Sequence, residues 1–125
     1  MNPHDRADIE RTINRYFDGL YEGDADKLAS VFHDTSALTY EQDGKLIVLP
    51  RDSWLRAVRE RPSAKSKNLA RDDAILSIDQ SGPTTAFVKV KCQIPPRYFT
   101  DYLNLLKIDG TWKVVQKVFA TQLRE

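Results

Sequence analysis

Apolar residues near the start of the chain recur three or four positions apart: Ile9, Ile13, Tyr16, Phe17 and Leu20, ending at Gly23. Asn2 followed by Pro3 supplies a start signal, so the pattern predicts a first helix over 3–22. Asp24 is placed to cap a second, shorter helix with Leu28, Val31 and Phe32 on its apolar face and His33 on its last turn. Two β-rich runs, 36–42 and 45–49, flank Asp43-Gly44, a dipeptide that tolerates the positive φ angles of a tight hairpin. Pro50 ends that hairpin, and residues 51–60 place Trp54, Leu55 and Val58 on one side of a third helix. A polar loop follows over 61–68.

From residue 69 the period changes to two, through runs 69–79, 84–94, 97–108 and 111–121. The turns between them are Ser81-Gly82-Pro83, Pro95-Pro96 and Asp109-Gly110. In the second run Ala86, Val88, Val90, Cys92 and Ile94 alternate with Phe87, Lys89, Lys91 and Gln93, which gives one buried and one exposed face. The third run carries apolar bulk on both faces: Tyr98, Thr100, Tyr102, Asn104, Leu106 and Ile108 on one, Phe99, Asp101, Leu103, Leu105 and Lys107 on the other. Few helices remain to cover a second face, so a homodimer formed through the sheet is expected. Helices first and a long antiparallel meander afterwards define an α+β domain, with three helices against one face of a strongly curved, mainly antiparallel sheet.

The 125 residues suffice for one domain, expected to span 1–125. Lys and Arg number 19 against 18 Asp and Glu, and this balance argues against a nucleic-acid partner or an anionic membrane surface. No apolar run approaches the roughly 20 residues a bilayer requires, and MNPHDRADIE lacks the regions of a signal peptide. Cys92 is the one cysteine, so no internal disulfide or cysteine-rich zinc site can form. A soluble, unprocessed, cytoplasmic protein is expected. No HExxH, glycine-rich phosphate loop or GxSxG occurs, so neither a metal nor a nucleotide cofactor is implied.

Two segments, YFDGLYEGDADKLASVFH at 16–33 and FTDYLNLLKIDGTWKVVQKVF at 99–119, resemble the nuclear transport factor 2-like superfamily, and within it the subgroup labelled lumazine-binding. The resemblance covers nearly the whole chain and implies a cone-shaped, cystatin-like fold, a conical pocket and usually a dimer. Ketosteroid isomerase, a catalytic cousin, uses a tyrosine on its first helix, a carboxylate base after the second and a protonated aspartic acid on a later strand. Aligned without gaps, its tyrosine corresponds to Tyr16 and its base position falls on Tyr40. Counting from Asp109-Gly110 places the acid donor at Asn104. One donor is kept, an amide replaces the second and the base is missing, which disfavours isomerase chemistry of that type.

Tyr16, Tyr40, Tyr102 and Asn104 then form a set of neutral hydrogen-bonding groups inside an apolar cavity, with Leu20, Phe32, Trp54, Val90 and Phe119 as lining. Buried tyrosines that merely satisfy their hydroxyls, and a Trp54 that is simply core, are the competing reading. Lys117 alternates with Val115, Phe119 and Thr121; it either faces the cavity, where it would orient an anionic ligand, or lies at the rim with its ammonium in water. His33 beside Asp34 is the candidate catalytic residue, since a resembling dehydratase subgroup uses histidine and aspartate with tyrosines. Its alternative is a helix cap.

Three functions follow. The first is a pocket protein holding a small apolar or aromatic ligand in the cone. The second is a cofactor-free lyase, isomerase or cyclase using His33 with Tyr16, Tyr40 and Asn104. The third is an interaction module acting through Phe87, Phe99, Leu103 and Leu105 on the outer sheet face.

Overall fold

The structure is a computed structural model that describes residues 2–124. Helix α1 (Asp5–Glu22) buries Ile9, Ile13, Tyr16, Phe17 and Leu20 along one stripe. It begins two residues later than Pro3 suggests, because Asn2 is spent on a preceding turn: its side-chain oxygen accepts from the His4 N–H at 2.8 Å and its carbonyl from the Asp5 N–H at 3.0 Å. Gly23 ends α1 at φ 67°, a left-handed conformation, and a Cβ there would stand 2.7 Å from the Cβ of Ser63. Asp24 caps α2 (Ala25–Val31) by accepting from the Lys27 N–H at 3.0 Å.

Strands β1 (Ala37–Gln42) and β2 (Lys45–Pro50) form the expected hairpin, with Asp43 and Gly44 at φ 53° and 79°. Helix α3 (Arg51–Glu60) buries Trp54, Leu55 and Val58. Strands β3 (Ala74–Ser81), β4 (Thr85–Ile94), β5 (Arg97–Ile108) and β6 (Thr111–Leu123) make an antiparallel meander. The sheet order is β2-β1-β6-β5-β4-β3, and β1 joins β6 in parallel through Leu38↔Lys117 and Thr39↔Val118. The chain is therefore α+β, three helices on one face of a curved six-stranded sheet.

Residues 69–73, expected as the start of a strand, are not one. They are tied sideways to α1: Tyr21 donates to the Leu69 carbonyl at 3.0 Å, and Arg71 bridges Asp18 and Asp73. The ends of the sheet are stapled too, since Asp5 at the start of α1 pairs with Lys107 on β5 at 3.1 Å and accepts from Gln80 on β3 at 2.9 Å.

The largest correction concerns β5. Asp101, Leu103 and Leu105 point into the core, whereas Tyr102, Asn104 and Leu106 point to solvent. Phe99, Leu103 and Leu105 are therefore on the concave side and cannot form an outer interaction surface. Phe87 stays on the convex face, stacked on Tyr102 at 6.0 Å between ring centroids. In β6 a bulge at Val115 breaks the alternation: Leu105 pairs with Val114, but Asn104 already pairs with Gln116. Trp112 and Val114 face inward before it, Lys117 and Phe119 after it.

Candidate functional site

The concave face closes over a small polar group within a dense apolar shell. Its carboxylate is Asp101, with no exposed surface at all. Tyr16 on α1 donates its O–H to Asp101 Oδ2 at 2.5 Å, and Lys117 on β6 donates from Nζ to the Tyr16 oxygen at 2.8 Å. Lys117 Nζ also lies 3.7 Å from Asp101 Oδ2, and Cys92 Sγ on β4 lies 3.5 Å from the same oxygen. Asp101 Oδ1 has no partner among the described residues. Trp112 Nε1 is likewise buried without a partner among the described residues, and a buried polar atom left so costs on the order of 1–3 kcal/mol.

The register explains how four elements meet here. Asp101 stands opposite Phe119 on β6 and Val90 on β4, and Leu103 stands opposite Lys117. The bulge at Val115 carries Lys117 to the inside; with regular alternation from Trp112 and Val114 it would point outward. Its ammonium is surrounded by rings, 4.7 Å from the centroid of Phe119, 5.1 Å from Trp54 and 5.2 Å from Tyr16. Only 5% of Lys117 is exposed.

Burial, and then the Asp101 charge, raise the Tyr16 phenol well above its ordinary value, so it remains an O–H donor. Burial likewise pushes the Cys92 thiol up, with Asp101 adding to the effect. Neither group competes to give up its proton at neutral pH.

The narrow end of the cone is filled by aromatic packing, with Phe32 edge-on to both Tyr16 at 5.5 Å and Trp54 at 5.0 Å. Tyr40, Phe99 and Phe119 are half-buried; Phe119 lies 4.9 Å from Tyr40 and 6.1 Å from Phe99 between ring centroids. A surface cleft of about 410 Å³ lies between α1 and the β5–β6 turn, and another of about 250 Å³ on the convex face; neither includes Tyr16, Asp101 or Lys117.

Of the residues expected from sequence, Tyr16, Leu20, Phe32, Trp54, Val90 and Lys117 are buried in the core and Phe119 is packed against it. Tyr102 and Asn104 are not part of this group: Tyr102 is 38% exposed and both lie on the convex face, because Leu103 and Leu105 between and beside them fill the core. The acid contacting Tyr16 is Asp101, three residues before the position that counting from the hairpin indicates. Tyr40 packs on Phe119. His33, past the end of α2, contacts Thr35 Oγ1 at 2.8 Å and Asp34 at 3.0 Å, and with Asn104 on the opposite face the proposed His33 set does not assemble. Sequence reasoning missed Asp101 and Cys92.

The chain matches the model of the family described as "Putative lumazine-binding" over residues 4–120, and it belongs to that family. It sits within the nuclear transport factor 2-like superfamily. A nuclear transport factor 2-like protein of unknown function from Shewanella baltica OS155 superposes with a TM-score of 0.85, at 25% identity, over 99% of this chain and 98% of that one. A second, from Silicibacter pomeroyi DSS-3, gives a TM-score of 0.84 at 22% identity over 98% and 100% of the two chains. Among curated proteins, "Aldolase FrzH" from a Cladobotryum species is 42% identical over 48 residues, which span 37% of this chain and 38% of that protein.

Proposed function

We propose that this chain binds a small, largely apolar or aromatic molecule in the cone, with the ligand's polar end at Asp101 and Lys117. One observation carries the reading: Asp101, Tyr16 and Lys117 form a buried hydrogen-bonded polar group among aromatic rings, in which Asp101 Oδ1 has no partner among the described residues. A ligand N–H or O–H would supply a donor there, and a neighbouring ligand acceptor would meet Lys117 Nζ, while Tyr40, Phe99 and Phe119 offer ring surface.

The test is a thermal-shift screen of flat aromatic ligands. A binder at a hundred times its Kd adds about 2.7 kcal/mol to stability, and Asp101→Asn should lose most of that gain. Uniformly absent shifts across the screen would refute the reading.

A second reading, a cofactor-independent enzyme, draws on the same buried pair and on the short likeness to a protein named an aldolase. The convex face carries Phe87, Tyr102, Leu106 and Val118 and is the surface through which two copies would pair. Sedimentation at micromolar concentration checks that, a stable monomer being the adverse result. Among the described residues no helix is long and apolar enough to cross a membrane, and the unpaired thiol of Cys92 fits a reducing, cytoplasmic setting.

A further inference from the structure

The cleft of about 410 Å³ between α1 and the β5–β6 turn lies outside the cone, and its walls suit a different kind of molecule. Asp8, Arg11, Thr12 and Arg15 are spaced three or four residues apart, so they form one stripe along α1, beside the buried stripe of Ile9, Ile13 and Tyr16. Ser30 at the end of α2 and Thr111 after the β5–β6 turn complete the walls, and the buried Val31 and Trp112 close the base. The two arginines stand one helical turn apart, where like charges repel. The lining supplies one carboxylate against them, Asp8, which pairs with Arg11. Arg15 is held differently: its Nε donates to Ser30 Oγ at 2.5 Å, which steadies the fork and leaves both Nη amines without a partner among the described residues. Lys113 brings a third positive charge to the same wall, its Nζ donating to the Ser30 carbonyl at 2.5 Å.

Three cationic donors against one carboxylate make the cleft a place for an anion. A carboxylate would be satisfied by a single guanidinium fork, whereas a tetrahedral dianion presents oxygens and charge enough for both arginines and the lysine together. The cleft is also much roomier than such an anion needs, falling within the range of about 300–1,000 Å³ typical of small-molecule sites. What remains of its walls carries the hydroxyls of Thr12, Ser30 and Thr111, while Val31 and Trp112 are too deeply buried to offer much apolar surface. We propose that this cleft is a second binding site, which takes the phosphate monoester of a small hydroxylated molecule. Arg15 is its fixed anchor, Arg11 and Lys113 are the further donors to the phosphate, and the hydroxyl-lined wall receives the rest of the molecule. The site shares no residue with the concave cluster, so it stands or falls independently of a ligand in the cone.

The experiment is isothermal titration calorimetry on the full chain at low salt, with ribose 5-phosphate and glycerol 3-phosphate as probes beside ribose and inorganic phosphate. At least one ester is expected to bind, ribose to give no heat, and inorganic phosphate to bind more weakly than the ester. Arg15→Gln should weaken ester binding about 10–100-fold, Arg11→Gln and Lys113→Gln by smaller factors, and Lys67→Gln, an exposed lysine outside the cleft, should leave it unchanged. These are surface replacements that leave the fold intact, which unchanged thermal midpoints check. Absence of heat with both esters would overturn the proposal, as would inorganic phosphate binding as tightly as the ester. A loss in Lys67→Gln equal to that in Arg15→Gln would overturn it too, because diffuse attraction to the whole surface would then explain the binding. Capture of the chain by phosphatidic acid vesicles without heat from either ester would overturn the small-molecule assignment in favour of a lipid headgroup.

Discussion

On the concave side of β4, β5 and β6, Asp101 and Lys117 are enclosed by Val90, Leu103 and Phe119 with almost no access to water. One position along the same strands, Tyr102 and Val118 stand in solvent on the convex side, with the amine of Lys89 over the Tyr102 ring at 5.7 Å. The two faces have similar residue types and opposite physics. A charge on the convex face keeps its hydration and contributes little to stability. A charge on the concave face has surrendered it, and depends on its partner.

That contrast is most easily broken at the pair itself. Asp101→Leu or Lys117→Met alone leaves one buried charge uncompensated and should cost roughly 3–5 kcal/mol, whereas the double replacement should be near neutral or stabilising. Urea denaturation of the three variants checks the cycle, and additive losses would show that the two side chains do not act as a unit.

Leucines on either side of β5 sharpen the comparison at smaller scale. Leu103→Ala removes a fully buried side chain and should cost about 2–5 kcal/mol. Leu106→Ala, on the convex face and 37% exposed, should stay within about 0.5 kcal/mol in a monomer. Equal losses in equilibrium unfolding would mean that something covers the convex face in solution.

The smallest effect concerns the staple outside the cluster. Asp5 is held below its ordinary value of 3.8, first by the Gln80 hydrogen bond and then by Lys107. The folded chain thus binds this proton more weakly than the unfolded one. The stability Asp5 confers is complete above the unfolded value and is lost as pH falls through the lower folded one. Asp5→Asn should therefore show a shallower loss of stability than the wild-type chain as pH falls from neutral through the acid range below the unfolded value of 3.8. Parallel acid limbs would argue that the staple adds nothing.

The elements were legible because their signals are local. Asp24 as a cap, Asp43-Gly44 and Asp109-Gly110 as turns, and the alternation of Ala86, Val88, Val90 and Cys92 depend on neighbours in sequence, and the structure keeps each of them. The centre of the candidate site was not legible, for two reasons. Both faces of β5 are apolar, so its pattern does not say which side meets the helices. The bulge in β6 then shifts parity without a proline or glycine to announce it. Lys117 was placed correctly on the side of Phe119, but Val115 was grouped with them although it lies at the bulge. Leu103 and Leu105 flanking one odd-numbered register were the available clue to Asp101, since two leucines outweigh an amide and a tyrosine in driving burial.

The join between β1 and β6 carries a last consequence. Among the described residues, Leu38↔Lys117 and Thr39↔Val118 are the ladder pairs that join the β1–β2 hairpin to the rest of the sheet, with Gln116 donating to Thr39 Oγ1 at 2.8 Å beside them, against twelve paired positions between β5 and β6. The hairpin thus meets the sheet along a short seam, and that seam runs through Lys117. Amide protons along β1 should exchange sooner than those of β5.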